Sequence, residues 1–307
     1  MTETSERSGD AAGASRGNWG RWGAEDERGA LNLVDPAATL RGAAACRTGR
    51  VYPLGLPISR RRTPAAFDRP APERVTLMSP ADEAEFARLG APGGVGSSED
   101  LLVLPSHIGT HIDALSHVYS EHRIWNGFPS SSFTPRRGAG RCGIEKSSCY
   151  AGRGVLLDVA GHEGVALLEP GRPVSGSDLE AVAAGEGVEL EPGDTLLVRT
   201  GWTEALARRQ ALPADRQPGL ARSAAEFIAD HDVAVVGADN AAVEVLPFDG
   251  SFLALHVELL VHRGVMLIEH LWLADLAADA CHTFMIVVAA LPVVGATGSP
   301  VNPVAVG

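Results

Sequence analysis

From residue 99 onward, short apolar runs alternate with segments of helical composition, and this alternation limits the possible folds more than any other feature of the chain. Runs at 100–105, 154–160, 194–200, 233–238, 264–272 and 284–291 have the length and aliphatic content of strands. Between them, Ser177 is placed to cap a helix over 178–184, where Asp178 and Glu180 would complement the positive end of the helix dipole. A second amphipathic stretch, 220–230, leads almost directly into the run that starts at Val233. Strands interleaved with helices define an α/β chain built on a central sheet. Upstream, 36–47 has helical composition ended by Gly49, and 51–59 looks extended. The stretch 60–100 clusters Pro, Gly, Ser and charge without sustained periodicity and predicts a long surface excursion, of the kind that can serve as a lid.

The chain has 307 residues, 45% of them hydrophobic, which is ample material for a packed core. Its formal charge of −12 repels phosphate backbones and anionic lipid, so neither nucleic acid nor a membrane surface is expected as a partner. No apolar run reaches the length of a membrane span; the longest candidate, 283–292, stops at Pro292 and reads as a buried strand. Residues 1–18 are polar and lack the apolar centre of a secretory signal. They read as a disordered tail ahead of one domain over 19–307, in a cytoplasmic protein. Cys46, Cys142, Cys149 and Cys281 form no C-x-x-C pair and are expected to be reduced.

Three of the ten histidines fall in one window, His107, His111 and His117, with Asp113 among them at successive spacings of 4, 2 and 4. Even intervals point all four side chains the same way on an extended chain, whereas a helix splits them into two groups. A straight strand would still hold His107 and His111 about 13 Å apart. Sharing an ion therefore needs a bend, which Gly109 can supply. Imidazoles with a carboxylate and no nearby thiolate suit a divalent Zn, Mn or Fe in a catalytic site.

The pattern His107-Ile-Gly-Thr-His111-Ile-Asp113-Ala-Leu-Ser-His117 resembles the signature of the cyclase family that includes bacterial kynurenine formamidase and isatin hydrolase. The likeness continues through Trp125 to Phe128, Leu197-Val-Arg-Thr-Gly-Trp202, Val235-Val-Gly-Ala-Asp239-Asn240, Leu291-Pro292, Gly298-Ser-Pro300 and Asn302-Pro303, and the block from Trp22 to Asn32 is similar to the longer bacterial branch. Leu115 stands where many formamidases carry a proline, and His270 where many members carry another polar residue.

The resemblance implies a swivelling β/β/α fold, a mixed central sheet or barrel flanked by helices. It implies His107, His111 and Asp113 as the first metal ligands, His256 and Glu269 as later ones, and His117 as the catalytic histidine. The cofactor would be one or two divalent ions, Mn or Zn. The reaction would be hydrolysis of an amide, formamide or lactam C–N bond in a small, flat substrate, with Trp22, Trp125, Phe128 and Trp202 as candidate stacking residues. Two other functions stay open: a metal-dependent cyclase or dehydratase of natural-product synthesis, and a non-catalytic metal- or ligand-binding protein. A homodimer or larger homo-oligomer is also implied.

Overall fold

The computed structural model describes residues 17–64 and 68–307. Of the segment read as a tail, 1–16 lies outside the described residues, whereas Asn18 is anchored, its amide donating to the His262 carbonyl and its side chain to the Arg263 carbonyl.

Nine strands form the central sheet: β1 (Val51–Pro53), β2 (His111–Asp113), β3 (Cys149–Asp158), β4 (Thr195–Arg199), β5 (Val235–Ala238), β6 (Met266–Glu269), β7 (Thr283–Ala289), β8 (Gly298–Pro300) and β9 (Val304–Val306). Their spatial order is β1-β9-β7-β3-β4-β5-β6-β2-β8, in a mixed sheet that curls into a half-barrel flanked by helices. The four central strands run parallel, and the outer pairings are antiparallel.

Sequence and burial agree with that division. β4, β5 and β6 are buried at every position, as continuous apolar strands of a covered parallel sheet should be. β7 differs from the fully buried strand expected at 283–292: Phe284, Ile286 and Val288 point into the core, while Thr283, Met285 and Val287 are half-buried. An antiparallel strand with one face on the core alternates in this way.

The helix Pro36–Ala44 packs on β3 and β7, and Gly176–Glu186 packs on β3 and on the helix Ala224–Asp230. The N-cap of Gly176–Glu186 is Ser175, not Ser177; Ser175 and Asp178 form a reciprocal capping box. The excursion after β1 is more ordered than its composition predicts, containing a two-stranded ribbon, Glu73–Met78 paired with Glu99–Val103, and a short helix, Glu83–Arg88. All four cysteines are free. Among the described residues, no helix is long and apolar enough to cross a membrane.

Candidate metal centre

β2 carries His111 and Asp113, and the two strands beside it determine what they meet. Antiparallel pairing with β6 sets His111 opposite Glu269. Pairing with β8 sets Asp113 opposite Gly298. The chain before β2 bends at Gly109, whose φ of +56° lies in the left-handed region that glycine tolerates. The bend brings the His107 ring back over β2, with its centroid 5.2 Å from that of His111. Gly298 leaves room for this ring, since a Cβ there would stand 2.6 Å from His107 Cε1. Thr110, between the two histidines, donates to the His270 carbonyl and accepts from the Leu56 amide.

The fifth residue arrives from another element. His256 ends a helical turn, Ala254–His256, that continues as a π-helix, Val257–Arg263, a geometry often found at functional sites. The buried Glu244 carboxylate accepts from the Leu255 and His256 amides and pairs with His256 Nδ1 at 2.5 Å. It thereby caps the turn and fixes the ring, directing Nε2 at the cluster. His256 Nε2 lies 3.4 Å from Glu269 Oε1 and 3.8 Å from Asp113 Oδ2.

His111 Nδ1 pairs with the Gly109 carbonyl, so it carries the proton and leaves the Nε2 lone pair free. That nitrogen is 3.2 Å from Glu269 Oε2 and 3.6 Å from Asp113 Oδ1. His107 spans Asp113 Oδ1 at 2.7 Å and Thr297 Oγ1 at 2.9 Å. His117 stacks on His107 with ring centroids 3.9 Å apart, and its Nε2 is 4.0 Å from Asp113 Oδ2. The side chain of His117 is 23% exposed against 0% for Asp113, which puts the imidazole at the mouth and the carboxylate at the floor.

Three facing atoms, His111 Nε2, Asp113 Oδ2 and Glu269 Oε2, are buried without a hydrogen-bond partner. Groups so placed are costly unless something pairs them. Two sets of ligand atoms each lie within 4.8 Å of one another, His111 with Asp113 and Glu269, and His107 with Asp113 and His117. A divalent cation would satisfy the first set, held by His111, Asp113 and Glu269, and Asp113 belongs to both sets. The electrostatics favour a cation as well. Burial pushes the Asp113 carboxyl up, but His117 and His107 outweigh it and hold it far below the usual range. Burial opposes ionisation of Glu269 too, yet His111 and His256 hold it at about 2. His117 goes the other way: burial, with the neighbouring His107 and His256, pushes it down to about 4, so it is a neutral base at pH 7.

The four aromatic candidates do not join this cluster. Trp125 and Trp202 are buried in the core, 0% and 1% exposed, where no ring face is open to a substrate. Trp125 donates to Asp26, which also accepts from the Gly29 amide and Asn32, so the acid in the Trp22 to Asn32 block ties that block to the body. Trp22 and Phe128 are half-buried, Trp22 tilted against Trp125 and Phe128 under the Arg141 guanidinium. Asp239 also proves to be a clamp, its two oxygens accepting from the Thr200 amide and hydroxyl and the Gly201 amide. Glu244 and Thr297 were not found by sequence reasoning. Glu244 left no signal beyond an acid in an apolar stretch, and Thr297 none.

A half-barrel α/β fold with a buried imidazole–carboxylate cluster is suited to hold a divalent metal, and comparison with known proteins gives the family. Residues 52–245 match the family profile described as Putative cyclase, and the chain belongs to that cyclase family. A solved structure described as a novel cyclase is 30% identical, with a TM-score of 0.86 over 95% of this chain and 99% of that one. Isatin hydrolase A from Labrenzia aggregata shares the fold at 16% identity, with a TM-score of 0.60 over 86% of this chain and 94% of its own. A predicted metal-dependent hydrolase from Bacillus stearothermophilus does so at 21% identity, with a TM-score of 0.54 over 83% and 97%. No curated protein matches the chain.

Proposed function

We propose that the protein hydrolyses an amide, formamide or lactam C–N bond of a small molecule, with His111, Asp113, His256 and Glu269 holding a divalent Zn or Mn ion, His107 completing the ligand set and His117 as general acid/base. The observation that carries this reading is the set of buried, unpartnered ligand atoms beside a half-buried neutral imidazole. A bound divalent ion would acidify water and polarise a carbonyl oxygen. His117, at the mouth, takes the proton from the attacking water and returns it to the leaving nitrogen. Its stacking on His107 fixes the ring plane, and the Asp113 carboxylate favours the imidazolium that forms between the two transfers. Of the four aromatics, only Trp22 and Phe128 offer ring surface for a flat substrate.

The test is elemental analysis of the wild type and Asp113→Ala, with hydrolysis of N-formylkynurenine and of isatin measured on the same samples in labelled water. Stoichiometric metal and C–N cleavage with solvent oxygen incorporated, both lost in the variant, support the proposal. Turnover of a substrate without solvent oxygen would replace hydrolysis by cyclisation or dehydration, and a metal-replete protein that binds no ion would overturn the mechanism.

A further inference from the structure

Four consecutive backbone carbonyls where the π-helix Val257–Arg263 ends are held by residues 18–30. The Val261 carbonyl accepts from Trp19 Nε1 at 2.6 Å and the Arg263 carbonyl from Asn18 Nδ2 at 3.1 Å. Between and after them, the His262 carbonyl accepts from the Asn18 amide and the Gly264 carbonyl from the Ala30 amide, both at 2.8 Å. The last carbonyls of a helix have no partner within it, so their donors must come from elsewhere. Here the Trp19 donor comes from 242 residues away in the chain. π-helical pairing is rare and is mostly confined to single turns, so a stretch of seven residues depends on such outside support.

The capping segment is itself fastened to the body. The Trp19 ring lies between the His262 ring, with centroids 6.1 Å apart, and Gly127, where a Cβ would stand 3.2 Å from Trp19 Cζ3. Asn126 accepts from the Gly20 amide through Oδ1 and donates through Nδ2 to the Gly23, Ala24 and Asp26 carbonyls. Arg21 forms a two-pronged pair with Asp232, but the side chains are 36% and 30% exposed, and a pair so open to water contributes little. The bonds to the carbonyls are therefore where the segment acts on the helix.

His256 is the N-cap of this helix. Each amide of a π-helix donates to the carbonyl five residues back, so Val261, held by Trp19 at its carbonyl, meets the His256 carbonyl with its amide. Two hydrogen bonds thus join Trp19 to the backbone of His256, whose ring Glu244 fixes from the other side. We propose that Asn18 and Trp19 are positioning residues of the metal centre, capping the π-helix so that the His256 backbone stands where Glu244 can aim the ring at the cluster. The proposal rests on the reading of His256 as a metal ligand. Without the caps the helix end frays, the fraction of molecules with His256 in place falls, and apparent metal affinity falls by the same factor.

Trp19→Phe keeps an aromatic ring against His262 and Gly127 and removes the Nε1 donor, while Asn18→Ala removes the Nδ2 donor and keeps the amide. Each should lower Zn affinity about three- to tenfold by equilibrium dialysis, and should shift the His256 ring resonances of the metal-free protein by NMR. A purely structural role would lower the denaturant midpoint but leave affinity and the His256 resonances unmoved, and that result would overturn the proposal. So would a folded variant in which either readout alone stays at its wild-type value. A wild type that binds no Zn would instead end the reading of the site as a metal centre, and the metal-free resonances would still decide whether the caps hold His256. Should Trp19→Phe fail to fold, Asn18→Ala decides.

Discussion

His111 and Glu269 face each other across the β2–β6 ladder, Nε2 to Oε2 at 3.2 Å, although 157 residues separate them in the chain. Strand register sets the two residues opposite each other and the Gly109 carbonyl holds the His111 ring, so the pair is in place before any ion arrives. Glu269→Gln keeps the shape and one acceptor oxygen but removes the charge. The variant is expected to fold and to lose at least about tenfold in metal affinity, measured by equilibrium dialysis against Zn and Mn. Unchanged affinity would remove Glu269 from the ligand set.

Glu244 touches no other member of the cluster, yet it holds His256 by the ring and by the backbone. Supporting carboxylates of this kind orient a ligating imidazole and raise its basicity. Glu244→Gln should weaken metal binding about 10- to 100-fold. It should also let the His256 pKa fall back toward its ordinary value, a shift visible by NMR in the metal-free protein that simple loss of packing would not produce.

That titration has a definite sign. In the metal-free protein, burial opposes the charge on His256, but Glu244 and Glu269 raise its pKa to about 10, above the ordinary 6.5. The resulting stabilisation is fully present below pH 6.5 and is lost as pH rises through about 10. Metal uptake between those limits displaces the proton on Nε2, so affinity should rise about tenfold per pH unit across the window. Titration calorimetry in two buffers of different protonation enthalpy reads the released proton directly. No proton release at pH ~8 would mean that His256 is already neutral there.

His117→Asn separates chemistry from binding. The imidazole is at the mouth and is not in the set formed by His111, Asp113 and Glu269. Its removal should leave at least one ion bound while kcat falls by about 10²- to 10⁴-fold. Loss of all metal with the activity would make His117 a ligand rather than a proton carrier.

How much of this the sequence disclosed depends on how local the determinant is. The bend at Gly109 and the shared direction of His107, His111 and Asp113 follow from spacing and backbone preference within seven residues, and the structure contains both. The central strands were legible because complete burial requires unbroken apolar runs. Glu244 and Thr297 were not, because each gains its meaning from a partner brought near by tertiary folding: His256 for one, His107 for the other. Trp125 and Trp202 show the converse. Each neighbours a family-like motif, yet their burial is decided by what packs around them, Gly264 and Asp26 in the case of Trp125. Of the ribbon after β1, the strand Glu99–Val103 was legible in the run 100–105, whereas its partner Glu73–Met78 was not, because Val75 and Leu77 stand among the Pro, Arg and Glu that make the stretch read as loop.

Gly298 offers the most local test of how tightly the centre is built. It pairs with Asp113 in the β8–β2 ladder, and a Cβ there would meet His107 Cε1 at 2.6 Å and the Ile112 carbonyl oxygen at 2.7 Å. Neither neighbour can retreat cheaply, since the His107 ring is held by Asp113 and Thr297 and the Ile112 carbonyl belongs to β2. Gly298→Ala should therefore push His107 off Asp113 and cost about 1–3 kcal/mol of stability through overpacking, read from a denaturant midpoint. Because His107 and Asp113 share one ligand set with His117, metal affinity and kcat should fall together, with the strands otherwise intact by circular dichroism. A stable variant with unaltered metal binding would show that the His107 ring has freedom to move, and would weaken the assignment of His107 as a ligand.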